Sequence, residues 1–333
     1  MGEETNHVKG AILSALDAES IRRAGRIIKT GGLVAFPTET VYGLGCDAMN
    51  ADAAAKVFEA KQRPQFDPLI VHIADRKQLD VVVESCPQLS QRLMEAFWPG
   101  PLTLVLPKQP AIPDLVTAGL STVAVRMPSH PVAQALIRKA GTPIAAPSAN
   151  PFGYVSPTTA QHVADGLGKR VDLILDGGPC PIGVESTIVS LAGPQPELLR
   201  PGSITIEQLS AVIGSLRRSS PVHPKPIAPG QLSRHYATQT QLTILASVGT
   251  RPMLKNDERA GLLIFSQARE TDDRFAAVEV LSATGDLREA ARHLFAALRR
   301  LDSLGLDRIY AEPCKEDGLG VAIMDRLRRC ATP

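Results

Sequence analysis

The sequence has few cysteines, and none of them are paired in a recognisable motif. Five cysteines are scattered through 333 residues, and no two form a C-x-x-C pair. This spacing excludes the usual structural zinc sites and a disulfide framework, and it is typical of a reducing cytoplasm. We therefore expect no structural metal site.

Aromatic residues and charge of one sign are also scarce. Aromatic residues make up 4% of the chain, and the formal net charge is +2. These values argue against stacking on single-stranded nucleic acid and against a global field that attracts nucleic acid or a membrane. Any anion-binding site must then be built locally, from a few cationic side chains.

Long hydrophobic runs and targeting signals are absent as well. No apolar run approaches the length of a membrane span, and the acidic N-terminus lacks the apolar core of a signal peptide. Gly2 invites comparison with a myristoylation signal, but Asn6 stands where that signal requires Ser or Thr. The sequence predicts a cytoplasmic protein that does not bind membranes.

The common nucleotide-binding and hydrolase motifs are missing. Gly168 and Lys169 are followed by Arg170, so there is no P-loop, and neither G-x-S-x-G nor H-E-x-x-H occurs. The segment 43–48 imitates a dinucleotide fingerprint but begins several residues after the preceding strand, and we predict a turn at its two glycines. A standard nucleotide-binding fold is unsupported.

The hydrophobic pattern indicates an α/β protein with a mixed, twisted sheet, because strands and helices alternate irregularly. Strands are predicted at 33–36, 69–73, 102–106, 123–127, 171–176, 187–191, 197–200, 242–245, 261–265, 277–281 and 308–311. Helices are predicted at 20–30, 52–61, 89–98, 131–140, 206–214, 286–301 and 321–330.

A change of composition divides the chain. Residues 215–240 are basic, contain four prolines and show no apolar periodicity, which is typical of a semi-stiff linker. We predict a catalytic domain at 1–214, the linker at 215–240 and a small α/β domain at 241–333.

Polar side chains cluster between the first two predicted strands. Thr38, Glu39 and Thr40 follow one strand, whereas Lys61 and Arg63 precede the next. The two cations stand at the predicted end of a helix, where prolines that follow would fix their direction. Hydroxyl groups after one strand and cations before the next suit a small polar ligand beside a polyphosphate. The simpler interpretation is that the two cations are solvated charges at a helix end.

Other polar residues leave alternatives open. Arg126 lies in an apolar strand, so it is either paired with a protein carboxylate or binds an anionic ligand. Glu185, Ser186 and Arg200 pose the same choice, and capping and surface pairing are the simpler interpretation. The segment 148–150 reads as a turn, but its side chains, with those at 156–159, offer groups for a phosphate or ribose.

Taken together, the chain resembles the YrdC-like family, in its long, two-domain threonylcarbamoyl-AMP synthase form. The resemblance rests on these segments in family order: GGLVAFPTETVYGLG (31–45), KQRPQFDPLIVHI (61–73), WPGPLTLVL (98–106), VAVRMPSHP (123–131), APSAN (146–150), ESTIVSL (185–191), LLRPGSI (198–204) and RHYAT (234–238). It implies a YrdC-like catalytic domain and a small, Rossmann-like C-terminal domain.

The resemblance also implies an activity. Such enzymes form threonylcarbamoyl-AMP and pyrophosphate from L-threonine, bicarbonate and ATP with Mg²⁺, and the product feeds threonylcarbamoyladenosine formation on tRNA by a downstream transferase complex. Lys61 and Arg63 are then expected to be catalytic. Threonine would be bound by Thr40, His72, Arg126, Ala146 and Ser186. ATP would be bound by Arg63, Asp67, Thr122, Ser148, Asn150, Ser156, Arg200 and Tyr236.

The sequence departs from the family pattern at two places. Asp67 often corresponds to Asn in relatives, and an anionic side chain is a poorer neighbour for phosphate. In the linker, which folds over the active site in relatives, residues 231–233 differ from the commoner methionine and lysine.

Two other functions remain open at this point. Proteins of this superfamily bind double-stranded RNA, so the chain could be an RNA-binding module. It could also transfer a carbamoyl or adenylyl group to another acceptor, although relatives that do so carry extra domains or zinc-binding cysteines that this sequence lacks.

Overall fold

The structure is a computed structural model that describes residues 9–219, 226–255, 257–266 and 272–332. The N-terminal features at 1–8 and the part of the predicted linker at 220–225 lie outside the described residues. No helix in the described ranges combines the length and apolar character that crossing a membrane requires.

The larger domain is built on a mixed sheet in the order β1-β8-β2-β3-β7-β4-β6-β5-β9-β10-β11. Its strands are β1 (Ala11–Ser14), β2 (Val34–Phe36), β3 (Gly43–Asp47), β4 (Ile70–His72), β5 (Leu102–Pro107), β6 (Thr122–Arg126), β7 (Ile144–Ala145), β8 (Leu173–Asp176), β9 (Thr187–Ser190), β10 (Glu197–Arg200) and β11 (Arg217–Arg218). Strand β6 runs parallel to β4 and antiparallel to β5, so the predicted mixed sheet is confirmed.

Helices join these strands. They are α1 (Ala18–Lys29), α2 (Ala51–Lys61), α3 (Leu79–Val82), α4 (Gln88–Phe97), α5 (Asp114–Thr117), α6 (Pro131–Ala140), α7 (Ala160–Leu167) and α8 (Ile206–Ile213), with 3-10 turns at Arg76–Gln78 and Gly168–Arg170.

Helix α2 matters most for the site because of how it begins and ends. The side chain of Asn50 accepts hydrogen bonds from the backbone N–H groups of Asp52 and Ala53, which caps the helix. The helix ends at Gln62, whose φ of 54° is left-handed and reverses the chain. Lys61 is therefore the last helical residue, and Arg63 begins the segment that leads to β4.

The smaller domain has a parallel sheet in the order β12-β15-β13-β14. Its elements are β12 (Leu242–Ile244), β13 (Ala260–Ser266), β14 (Ala277–Ser282), α9 (Leu287–Asp302), β15 (Arg308–Ala311) and α10 (Gly320–Ala331). This parallel α/β arrangement agrees with the predicted second domain.

The predicted turn at Gly43–Gly45 is wrong, because these residues form strand β3. Strand β3 pairs antiparallel with β2, with Gly45 opposite Val34. A Cβ atom on Gly45 would lie 2.7 Å from Ile144 Cγ2 and 2.8 Å from Phe36 Cε1. Close packing, not a turn, therefore requires glycine here.

Several short elements were not predicted, namely β1, β7, β11, α3, α5 and α7. Helix α7 begins at Thr159, whose hydroxyl accepts from the backbone N–H of His162. One hydroxyl of the segment 156–159, which was considered for phosphate or ribose, therefore caps this helix. Strand β11 falls within the predicted linker and adds an edge to the larger sheet through β10.

The two domains share one apolar cluster. Val41, Val155 and Val184 of the larger domain pack with Leu294 and Phe295 of α9. Tyr236 of the linker belongs to the same cluster. The second domain is thus docked directly behind the segments that carry the predicted site.

Candidate functional site

A cavity lies where the larger sheet, the linker and the loops around residues 38 and 185 meet. Three guanidinium groups line it, those of Arg63, Arg126 and Arg200. Its other lining residues are Thr38, Thr40, Val41, Gly43, Ile70, His72, Ala146, Pro147, Ser148, Glu185, Ser186, Pro229, His235 and Tyr236. Segments far apart in the sequence therefore form one cationic cavity.

Lys61 lies immediately behind this lining. Its ammonium nitrogen donates to the carbonyl oxygen of Ser148 at 2.5 Å and to that of Asn150. The side chain is fully buried, and burial together with the charge of Arg63 places the pKa of Lys61 well below its usual range. Lys61 thus fixes the 148–150 turn against the end of α2.

Arg63 is oriented by its own loop. Its Nη2 atom forms an ion pair with Asp67 Oδ2 at 2.8 Å and donates to the carbonyl of Pro68 at 2.9 Å. Its guanidinium also lies 5.8 Å from the centre of the Phe152 ring. Asp67 does not line the cavity, and burial raises its pKa even though Arg63 and Lys61 oppose the shift. The aspartate therefore stands behind Arg63 as its counter-charge.

Arg126 is paired with a protein carboxylate, which was one of the two alternatives. Its Nη2 atom lies 2.7 Å from Glu39 Oε1, and its Nη1 atom donates to Thr40 Oγ1 at 2.9 Å. Burial raises the pKa of Glu39, but the Arg126 charge more than offsets this, so the pKa is lowered overall. Because Arg126 also lines the cavity, an anionic ligand would share it with Glu39.

His72 lies beside Arg126, since the last residues of the parallel strands β4 and β6 are in register. Its Nδ1 atom lies 3.1 Å from the carbonyl oxygen of Ile70, which can only accept, so Nδ1 carries the proton. Burial, assisted by the Arg126 charge, lowers the pKa of His72 to about 3. The ring is neutral at physiological pH, with Nε2 as an acceptor.

Ser186, which precedes β9, and Arg200, the last residue of β10, form one wall of the cavity. Ser186 Oγ lies 2.7 Å from Thr103 Oγ1 and accepts from Arg200 Nη2 at 3.1 Å. Arg200 Nη1 donates to the linker carbonyl of Pro229 at 3.2 Å. Surface pairing of Glu185 and Arg200 is therefore wrong, because these residues are only 6% and 4% exposed.

The described part of the linker, 226–240, is packed onto this wall. Tyr236 has a left-handed φ of 62°, is buried, and stacks on Phe295 with ring centres 5.5 Å apart. Gln231 accepts from the backbone N–H groups of Ile227 and Ala228 at 2.7 and 3.0 Å. The residue that departs from the family pattern thus closes the turn at Pro229.

Four predicted ATP-binding residues do not line the cavity. Thr122 lies at the opposite end of β6 from Arg126. Asn150 donates to the carbonyls of Pro151 and Tyr154, and Ser156 donates to Glu185, so both lie one layer behind the lining. The fourth, Asp67, is placed behind Arg63.

The sequence interpretation singled out Thr38 and Glu185 without assigning either to a ligand, and it missed Pro229 and His235 as lining residues and Arg326 as the ion-pair partner of Glu185. Glu185 begins the ESTIVSL segment and His235 lies in RHYAT, so both stood in segments already singled out. No local pattern distinguishes Arg326 from the other arginines of its helix. Among the described residues, no group of three or more His, Cys, Asp or Glu side chains is arranged to hold a metal ion.

Comparison with known proteins assigns a family. Residues 26–202 match the family described as Telomere recombination (Sua5/YciO/YrdC), and residues 204–332 match the Threonylcarbamoyl-AMP synthase C-terminal domain. Threonylcarbamoyl-AMP synthase of Pyrococcus abyssi is 43% identical over 323 residues, covering 93% of this chain and 94% of its own. The Bacillus subtilis protein of the same name is 46% identical over 320 residues, covering 93% and 92%.

A solved structure extends this similarity to the fold. The structure of P. abyssi Sua5 complexed with L-threonine superposes with a TM-score of 0.86 at 41% identity, covering 93% of this chain and 94% of that one. The chain thus contains both family domains, one after the other. It also matches these relatives over nearly their whole length. The chain belongs to the Sua5/YrdC family, in its two-domain threonylcarbamoyl-AMP synthase form.

Proposed function

We propose that this protein is an L-threonylcarbamoyladenylate synthase, a nucleotidyltransferase that acts in the formation of threonylcarbamoyladenosine on tRNA. The amine of L-threonine adds to bicarbonate with loss of water and gives a carbamate. A carbamate oxygen then attacks the α-phosphorus of ATP, the bond to the β-phosphate oxygen breaks, and pyrophosphate leaves. Threonine, bicarbonate and ATP are cytoplasmic metabolites, so the reaction belongs in the cytoplasm.

The observation that carries this proposal is the convergence of Arg63, Arg126 and Arg200 on one buried cavity. The reaction joins two anions and generates a third, so charge neutralisation and positioning are its main requirements. Guanidinium groups in a buried site act more strongly on phosphate and carboxylate groups than they would in water. A covered cavity also protects a labile carbamate from hydrolysis.

Threonine is assigned to the side of the cavity formed by the ends of β4 and β6. Arg126 would bind the carboxylate, and the neutral His72 ring would accept a hydrogen bond from the amine or the hydroxyl group. Thr40, Ser186 and the backbone of Ala146 line the same region. This assignment is supported by the solved relative, which was crystallised with L-threonine.

ATP is assigned to the side formed by Arg63, Ser148 and Arg200, with Lys61 behind them and Tyr236 above. Lys61 and Arg63 would neutralise charge on the phosphates. Asp67, Asn150 and Ser156 would act by holding these groups in place. Thr122 is the weakest member of the assignment, since it lies at the far end of β6.

Mg²⁺ would enter with ATP. Mg²⁺ prefers oxygen ligands in octahedral geometry and often binds through substrate phosphates and water. Among the described residues, the acids at this site are already paired, with Glu39 on Arg126, Asp67 on Arg63 and Glu185 on Arg326. The donor set therefore fits a metal ion held mainly by the phosphates. When bound, the ion would neutralise phosphate charge.

The product is a mixed anhydride of a carbamic and a phosphoric acid, so it needs a partner enzyme that transfers the threonylcarbamoyl group to tRNA. Direct RNA binding by this chain is not required for that transfer.

The test is pyrophosphate release by the purified protein, with threonine, bicarbonate and ATP omitted one at a time. We expect release only when all three are present, and we expect serine to replace threonine poorly. ATP hydrolysis that is independent of threonine would contradict the proposal, and salt-dependent RNA binding without threonine-dependent turnover would favour an RNA-binding module.

A further inference from the structure

One arginine of the second domain reaches the catalytic domain from behind the cavity. Arg326 of α10 is 0% exposed. Its Nε atom donates to Glu185 Oε2 at 2.9 Å, and its Nη1 atom donates to the carbonyl of Pro201 at 2.8 Å and to Asp325 Oδ2 at 2.7 Å. A guanidinium this deeply buried is costly to desolvate unless such partners compensate its charge.

Glu185 connects this arginine to the cavity. One carboxylate oxygen accepts from Arg326, and the other accepts from Ser156 Oγ at 2.5 Å. Because both oxygens are engaged from opposite sides, the orientation of the carboxylate is fixed. Glu185 itself lines the cavity between Ser186 and Tyr236, whereas Arg326 does not.

The same guanidinium contacts the linker. Its central carbon lies 5.2 Å from the centre of the Tyr236 ring, within the range of a cation–π interaction. The same ring also stacks on Phe295 of α9. Both helices of the second domain thus hold the tyrosine that covers the cavity.

A second arginine of this domain fixes the backbone next to Ser156. Arg299 of α9 donates to the carbonyl of Val155 at 2.5 Å and to that of Ser156 at 3.4 Å. The Ser156 side chain is therefore held by the Glu185–Arg326 pair, and the backbone at residues 155 and 156 is held by Arg299 of α9.

We propose that Arg326 is a positioning residue through which the second domain sets the geometry of the ATP side of the site. It holds the Glu185 carboxylate in place, and through Glu185 and the Tyr236 ring it fixes Ser156 and the linker over the nucleotide. This inference rests on the proposed function and adds to it a role for the C-terminal domain.

The test compares Arg326→Gln with Arg328→Gln. Arg328 lies two residues further along the same helix, but its side chain is 54% exposed and paired with Glu316. For Arg326→Gln we expect the KM for ATP to rise by about tenfold or more, with less than about a threefold change in the KM for threonine. Arg328→Gln should remain close to the wild type in both constants.

The mechanism is tested by adding Glu185→Gln to Arg326→Gln. If Arg326 acts by compensating Glu185, the double variant has no buried, unpaired carboxylate and should bind ATP more tightly than the Arg326→Gln single variant. Additive losses in the double variant would overturn the proposal. Equal losses for ATP and threonine would also overturn it, because they are the signature of a merely destabilised fold.

Arg326→Lys covers the case in which the glutamine variant does not fold. Lysine keeps the charge but cannot hold Glu185 and Pro201 with one planar group. We expect an intermediate loss of ATP affinity, and unchanged affinity would overturn the proposal. ATP binding measured directly by calorimetry tests Arg326 even if pyrophosphate release proves independent of threonine, so the two proposals can fail separately.

Discussion

Two of the buried arginines that line the cavity have a carboxylate partner, whereas Arg200 donates to Ser186 and to the carbonyl of Pro229. Arg63 pairs with Asp67 four residues away, whereas Arg126 pairs with Glu39 from the loop between β2 and β3. A buried arginine without its partner, or a carboxylate without its arginine, is strongly destabilising. Function and stability therefore depend on the same residues, and experiments must separate the two.

Arg63→Ala and Arg126→Ala are expected to abolish activity by different routes. The first should weaken ATP binding and the second threonine binding, because the proposed function assigns Arg63 to ATP and Arg126 to threonine. Each should also cost about 3–5 kcal/mol of stability, since a buried carboxylate loses its partner. Ligand titration normalised to the folded fraction checks this. Unchanged affinities per folded molecule would refute both roles.

His72 predicts a pH dependence of stability. The unfolded state takes up a proton as pH falls through about 6.5, whereas folded His72 stays neutral down to a pKa of about 3. The unfolded state then binds more protons, so the stability from the neutral ring is fully present above pH 6.5 and is lost progressively below it.

From pH 6.5 to pH 5 this loss amounts to at most about 2 kcal/mol for His72 alone. His72→Asn keeps an N–H donor but cannot titrate, so its unfolding free energy should fall less steeply over this range. Urea unfolding at each pH measures both slopes. Equal slopes would show that His72 is not the titrating group.

At the scale of elements, one side chain of the described linker closes the turn at Pro229. The Gln231 side chain accepts hydrogen bonds from the backbone N–H groups of Ile227 and Ala228. Ala228 is 0% exposed, so its N–H group is buried. A buried N–H group that loses its partner costs about 1–3 kcal/mol. Gln231 is thus expected to hold the turn that brings Pro229 to Arg200.

Gln231→Ala should loosen the turn without unfolding the protein. We expect faster hydrogen exchange at residues 227 and 228 and a higher KM for ATP. Ser233→Ala is the matched control, because Ser233 is exposed in the same segment. Exchange that rises equally in both variants would mean that Gln231 has no special role.

At the scale of the whole molecule, the domains meet at a close backbone approach. A Cβ atom on Gly183 would lie 2.4 Å from Arg292 Cα of α9, and Gly183 has a φ of 83°. The backbone N–H of Gly183 also donates to the carbonyl of Thr40 at 3.1 Å. One glycine thus joins the second domain to the Thr38–Thr40 segment.

Gly183→Ala should separate the domains locally and lower both the melting temperature and the activity. Gly178→Ala is the control, because Gly178 has the same φ of 83° but open space around its Cβ position. The control should lose only about 1–2 kcal/mol of stability, which is the cost of placing alanine in the left-handed conformation. Equal losses in both variants would exclude a contribution from the domain contact.

Hydrophobic periodicity and turn residues predicted the main helices and strands. Helix α2 was expected at 52–61 and is found at Ala51–Lys61, because Asn50 and Gln62 supply its cap and its end locally. The prediction failed where a partner elsewhere decides the structure. Gly45 pairs with Val34 in a strand, and Phe36 and Ile144, distant in sequence, occupy the space that a side chain at Gly45 would need.

The sequence by itself determined the fold class, the family and most of the residues at the cavity, since these follow from local patterns and motifs along the chain. Only the tertiary structure decided which carboxylates compensate Arg63 and Arg126, and that an arginine of the second domain reaches Glu185. The reason is physical: the partner of a buried charge is chosen by three-dimensional proximity and low local dielectric. Glu185 and Arg326 are 141 residues apart in the sequence.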